Sequence, residues 1–189
     1  MDKRFVPGLL IITALLAACS ASAERKLGGH IFDIPKANDI SERDAPFFLP
    51  PSDPRDGFSF ILNPEASLPN QNLIGVASKE RMCARAAGTQ AQINSTVCAA
   101  HIISWRGISL RKVNDGVFWT YNLPTEAEGR TSAALANCFA MADANGQGLC
   151  TAPLPHGDLV ITIHLRDNQI ASLATLYDLA VASLRRWER

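Results

Sequence analysis

Four cysteines in the body of the chain, Cys83, Cys98, Cys138 and Cys150, restrict its folds more than any other feature. An even number in an exported chain implies disulfides, and four allow three pairings. Local geometry favours Cys83–Cys98 and Cys138–Cys150. Between the second pair, Asp143-Ala144-Asn145-Gly146 carries the strongest short turn signal in the sequence. A reversal centred on Ala144 opposes residues whose numbers sum to 288, as 138 and 150 do. Opposed residues on antiparallel neighbours lie about 4.5–5.5 Å apart at Cα, a span that a disulfide bridges. By the same logic, more weakly, the first pair centres between Gln90 and Ala91, just past Gly88. Loops of this size stabilise by about 3 kcal/mol each on the chain-entropy model. Structural zinc and Cys-x-x-Cys redox chemistry are disfavoured, because no two of the four lie close enough in sequence.

Export is legible at the N-terminus. Lys3 and Arg4 precede an apolar run from Phe5 to Ala18, softened by Pro7, Gly8 and Thr13. A bilayer-spanning helix needs about 20 apolar residues, so this shorter run reads as the core of a secretory signal. Two processing sites compete. Leu16-Ala17-Ala18-Cys19 resembles the lipobox of bacterial lipoproteins, and it sits directly against the apolar run. Ala21-Ser22-Ala23 resembles an ordinary signal-peptidase site, which would yield a soluble periplasmic chain starting at Glu24. The lipobox resemblance implies acylation (palmitate among the chains) at Cys19, and Ser20 implies sorting to the outer membrane. Several acyl chains at about 0.8 kcal/mol per buried methylene give a firm anchor.

Charge narrows the partners. The 189 residues carry 18 basic and 18 acidic side chains, without a basic surplus for a phosphate backbone, so nucleic acid is excluded as a partner. Loss of residues 1–18 removes two basic groups and one acidic, which leaves −1. Membrane attachment then rests on the lipid alone.

We read residues 1–18 as a signal peptide, 19–29 as a lipidated N-terminus and flexible tether, and 30–189 as one disulfide-stapled domain. Within it, 30–35 alternates apolar and polar residues, the mark of a half-buried strand. The segment 36–56 carries Asp39, Glu42, Asp44, Asp53, Asp56 and a proline cluster, and reads as an acidic irregular crossing. Strands are expected at 57–64, 73–77, 93–103, 108–113, 117–123, 149–154 and 159–165, with a helical turn over 78–87. Asn114-Asp115-Gly116 and Pro155-His156-Gly157-Asp158 read as hairpin turns. From Ile170 to Trp187 apolar residues recur at three and four, a helix with one buried stripe, capped by Ser172. The fold class is α+β: a mostly antiparallel sheet with a packed C-terminal amphipathic helix.

Chemistry is sparse. There is no Gly-x-Ser-x-Gly elbow, no phosphate loop and no paired-histidine motif. His30, His101, His156 and His164 stand singly. A carboxylate at Asp158 could orient His156, but a polar turn accounts for the same residues. Asp143-x-Asn145-Gly146-x-Gly148 partly fits a calcium loop, yet Leu154 stands where a bidentate glutamate is needed, which leaves a cation at Asp143 and Asn145 open. No catalytic residue, metal ligand or cofactor is assigned, and the chain reads as a non-enzyme. Trp105, Trp119 and Trp187 read as core, and Glu126 and Glu128 as a second acidic loop.

The lipobox, the segment Gly29-His30-Ile31-Phe32-Asp33-Ile34-Pro35, the segment Asp56-Gly57-Phe58-Ser59-Phe60 and the strand 159–165 followed by a helix form a pattern. It resembles the exported immunity (antitoxin) lipoproteins of type VI secretion systems with a PsbP/Mog1-like fold. The resemblance implies a helix-covered antiparallel sheet in a periplasm-facing inhibitor that occludes the active site of a secreted toxin. It carries over no contact residues. The competing reading is a structural or assembly lipoprotein of the envelope.

Overall fold

The computed structural model describes residues 22–40, 57–87, 97–98, 105–107, 109–124, 134–140 and 148–189. Along the chain run β1 (Ser22–Leu27), β2 (His30–Pro35), β3 (Gly57–Ile61), β4 (Leu73–Ser78), α1 (Lys79–Ala87), β5 (Arg111–Asp115), β6 (Phe118–Asn122), β7 (Ala134–Ala140), β8 (Gly148–His156), β9 (Leu159–Arg166) and α2 (Leu173–Trp187). Seven strands form one sheet in the order β3-β4-β9-β8-β7-β6-β5, and β1 and β2 form a separate hairpin. Every pairing is antiparallel. The α+β architecture expected from the hydrophobic periods is therefore the observed one.

Three two-residue hairpin loops share one geometry. The pairs Leu27–His30, Asp115–Phe118 and His156–Leu159 close them. Gly28, Gly116 and Gly157 each take the first loop position at φ 61°. That is the type II′ turn, whose twist matches the flanking strands and whose first residue favours glycine. Two of these turns coincide with the expected signals.

The third turn corrects the tether. The segment read as flexible linker includes β1, which pairs with β2 along its whole length, from Ser22–Pro35 to Leu27–His30. Leu27 is buried against the core. Glycines at 28 and 29 look like linker composition, but here they turn a hairpin. His30 thus begins the second strand of that hairpin.

The core face of the sheet follows the two-residue alternation. Phe60, Ile74, Ile163 and Ala152 sit in one row across it, and Phe58, Val76, Ile161 and Leu154 in the next. Over this face lies α2, which buries Leu173, Tyr177, Ala180, Val181, Leu184 and Trp187. Each large apolar side chain so buried contributes about 1.5–3 kcal/mol. Trp187 meets Phe60 edge-on at 5.0 Å, and Phe32 of the β1–β2 hairpin packs on Phe58 at 5.4 Å. Ser172 precedes α2 as expected, but its side chain makes no capping bond. A 3₁₀ turn over Asp167–Ser172 feeds the helix directly, and Gln169 accepts the Arg166 backbone N–H at 2.9 Å.

Both expected disulfides form. Cys83 of α1 bonds Cys98 with Cα atoms 5.6 Å apart, and Cys138 of β7 bonds Cys150 of β8 with Cα atoms 4.0 Å apart. The β7–β8 register is the expected one, with Asn137–Thr151, Cys138–Cys150 and Phe139–Leu149 opposed. Its turn, with Asp143 and Asn145, lies outside the described residues, as does the expected strand at 93–103 apart from Val97 and Cys98. Pro153 and Pro155 have no N–H to donate, and the β7–β8 ladder ends at Thr151, just before them. Gly148 is required by packing: a Cβ there would lie 2.1 Å from the Trp119 ring.

The Cys138–Cys150 bridge closes a short loop, so Cys138→Ala with Cys150→Ala should lower unfolding free energy by about 3 kcal/mol. Urea denaturation against the parent checks this, and an unchanged midpoint would show that the bridge adds nothing.

Candidate binding face and the charged clusters beside it

His30 is held between two carboxylates brought together from remote parts of the chain. Its Nδ1 lies 2.6 Å from Glu188 at the end of α2, and its Nε2 lies 3.0 Å from Asp158 in the β8–β9 turn. The hydrogen bond to Glu188 raises the imidazole pKa, partial burial works against it, and Asp158 adds to the rise. The bond from His30 in turn holds the Asp158 carboxyl below its usual range. Two further links reinforce this corner. The Arg189 guanidinium binds Glu24 and, at 2.9 Å, Asp33, and Arg25 forks onto Asp39 at 2.7 and 2.9 Å. Together these ion pairs fasten the β1–β2 hairpin to the body of the domain.

This arrangement corrects the pairing of His156 with Asp158. The carboxylate turns to His30, while His156 packs edge-on to Tyr177, with its Nδ1 3.3 Å from the phenol oxygen. Tyr177 donates its own proton to the Pro155 carbonyl at 2.9 Å. Burial pushes the His156 pKa down. His164 sits across from Thr151 at 3.4 Å, and burial lowers its pKa as well. On the same side of β9 as His164, Val160 is fully buried, so this side is covered rather than solvated. His101 lies outside the described residues, as do Glu42, Asp44, Asp53, Asp56, Glu126 and Glu128.

Asp167, which the sequence reading did not single out, organises a second cluster beside the Cys138–Cys150 bridge. Its carboxylate accepts from Trp119 Nε1 at 2.8 Å, Tyr121 Oη at 2.7 Å and Lys112 Nζ at 3.0 Å. Lys112 also lies 4.6 Å from the Trp119 ring centroid, at cation–π distance. Burial pushes the Asp167 pKa up, but these three donors outweigh it and hold the carboxyl below its ordinary value. Burial and the bond to Asp167 push Tyr121 up to about 12. Trp119 is thus a half-buried structural residue. The neighbouring Cys138 and Cys150 sulfurs are committed to each other, so Asp167 is left without thiolate partners for a metal.

The opposite side of the same strands is exposed and apolar. Phe118 and Phe139 are cross-strand partners, 61% and 39% exposed, with Val113 at 40% on the neighbouring strand and Val117 at 62% in the turn. The Ala140 N–H donates to the Val117 carbonyl at 2.9 Å, so the pairing reaches the tip. The strip stands on a braced platform, since β7 beneath it is bonded to β8 by the disulfide. In β6, Phe118-Trp119-Thr120-Tyr121 places aromatic residues on both sides of the strand. Alternation alone therefore cannot tell which aromatic is buried, and the sequence reading singled out Trp119 but not the exposed Phe118 and Phe139.

No known family model and no curated protein matches the chain. Among solved structures, it is similar to Smlt3025, an immunity protein of the Stenotrophomonas maltophilia type IV secretion system. Identity is 10%, with 90% of this chain and 94% of that chain covered, at a TM-score of 0.43.

The His30 clamp has a definite pH window. A raised imidazole pKa gives stability that is present below about 6.5 and lost as pH rises through the folded value. A lowered carboxyl pKa gives stability present above about 3.9 and lost as pH falls through the folded value. The clamp is therefore strongest between about pH 4 and 6.5. His30→Gln should cost about 0.5–1 kcal/mol at pH 5.5, the range for exposed pairs, and much less at pH 9. Thermal melts of both proteins across that range check it; a pH-independent difference would refute the ion-pair account.

Proposed function

We propose that this chain is an exported, non-enzymatic binding protein that neutralises a secreted toxin by covering its active site. The observation that carries the reading is the exposed Val113, Val117, Phe118 and Phe139 strip. Contiguous apolar surface on a soluble domain marks protein–protein contact, and aromatic residues dominate such contacts. A stoichiometric inhibitor needs a rigid platform, and disulfides and ion pairs supply one. The histidines described are each engaged by carboxylates, Tyr177 or Thr151. The immunity-lipoprotein resemblance of the sequence agrees with this reading, and type VI secretion is the delivery route that resemblance implies.

We further propose that Cys19 is the acylated N-terminus of a periplasm-facing outer-membrane lipoprotein. In support, cleavage after Ala23 would remove Ser22 and Ala23, the first two residues of β1, together with their pairing to Pro35 and Ile34. Cleavage before Cys19 leaves the hairpin intact.

Two experiments test these proposals separately. Cys19→Ser should move the protein from the membrane to the soluble fraction, and persistent membrane retention would refute lipidation. Phe118→Asp with Phe139→Asp should weaken binding to its toxin partner, sought first as the product of the adjacent open reading frame, at least about 30-fold, since hot-spot losses exceed about 2 kcal/mol. The melting temperature should stay close to the parent's, because both side chains are exposed. Co-elution unaffected by the double substitution would place the contact elsewhere, and no complex with the parent protein would contradict the toxin-binding reading.

A further inference from the structure

The two edges of the seven-stranded sheet are treated differently. At β3 the edge is closed: the Ile61 N–H donates to the Asn38 carbonyl at 2.8 Å, Asn38 Nδ2 returns a bond to the Ile61 carbonyl at 2.8 Å, and Asp39 bridges Phe60. At β5, among the described residues, no strand or bridge lies against the outer edge. An unpaired edge is a template for another strand, and folds commonly blunt such edges.

The β5 edge is complementary to itself. Asp115 and Phe118 flank a two-residue loop and so exchange both backbone hydrogen bonds. By alternation, Arg111, Val113 and Asp115 bond to β6, and Lys112 and Asn114 direct N–H and C=O outward. An antiparallel second copy must then oppose outward residues to outward residues. A register that sets Lys112 against Lys112 brings like charges together, and one that sets Asn114 against Asn114 leaves little overlap. The register centred on Val113 remains. It opposes Lys112 to Asn114 twice, Val113 to Val113, and Arg111 of each copy to Asp115 of the other. Val113 is exposed and apolar, and in a non-hydrogen-bonded pair its Cα atoms approach to about 4.5 Å. Lys112, tied to Asp167 on the far side of the strand, does not obstruct the edge.

We propose that the protein forms a two-fold dimer by antiparallel β5–β5 pairing centred on Val113, which joins the two seven-stranded sheets into one. Val113 belongs to both the exposed strip and this edge, but Arg111 and Asn114 lie outside the strip and Phe118 and Phe139 lie outside the edge, so substitutions at those residues separate dimerisation from toxin binding. So small an interface gives a weak, concentration-dependent dimer.

Sedimentation velocity of the full chain carrying Cys19→Ser, over a concentration series, tests this. The expected result is a reversible shift from monomer to dimer. Asn114→Pro removes one outward N–H while sparing the bonds to β6, and should abolish the shift. Arg111→Asp should also abolish it, and Arg111→Asp with Asp115→Arg should restore it, which keeps the test valid if the proline variant misfolds. A monomer at every concentration, a dimer indifferent to these substitutions, or failure of the charge swap to restore pairing would overturn the proposal. So would an edge that pairs only with a different protein.

Discussion

Backbone pairing of β8 with β9 is the constraint on which the rest of the structure depends. These two strands oppose eight residue pairs, from Leu149–Arg166 to His156–Leu159, in the middle of the sheet. On one side β8 carries β7, and through it β6 and β5. On the other, β9 carries β4 and β3. Because side chains alternate along a strand, this one register decides that Ile161, Ile163, Leu165, Ala152 and Leu154 all face α2. A slip of one residue would turn that row over and leave the helix stripe without a partner.

Long-range ionic links then position what the sheet cannot. The β1–β2 hairpin has no backbone ladder to the main sheet, so its placement rests on Phe32 against Phe58, on the Phe32–Glu188 bridge and on the His30, Arg25 and Arg189 ion pairs. The apolar contact supplies affinity and the charges supply direction. At the far end, Asp167 does the same for the tip of the sheet by fixing Lys112, Trp119 and Tyr121 on one side. That leaves Val113, Phe118 and Phe139 to face solvent on the other.

Much of this was legible in the sequence, for reasons of local chemistry. Turn residues and alternation located β2, β3, β4, β8 and β9, and the arithmetic of one turn found the Cys138–Cys150 register. The stripe from Leu173 to Trp187 located α2 because a single helix must bury one continuous face. What stayed hidden depends on partners distant in sequence. Ser22–Leu27 has the composition of a linker and becomes a strand only because His30–Pro35 folds back on it. His156 and Asp158 look like a pair in a short turn, yet the carboxylate reaches His30 instead. Likewise, nothing local in Phe118-Trp119 announces that the smaller ring is exposed while the indole is tethered to Asp167.

The central claim is neutralisation by occupancy rather than by chemistry, and titration tests it most directly. A fixed amount of the proposed toxin partner, sought as the product of the adjacent open reading frame, is assayed with rising amounts of the purified chain. Occlusion predicts a linear fall in activity that ends at one chain per toxin, and recovery of activity when the complex is dissociated. Inactivation by far less than one equivalent, or a loss that persists after dissociation, would contradict the account.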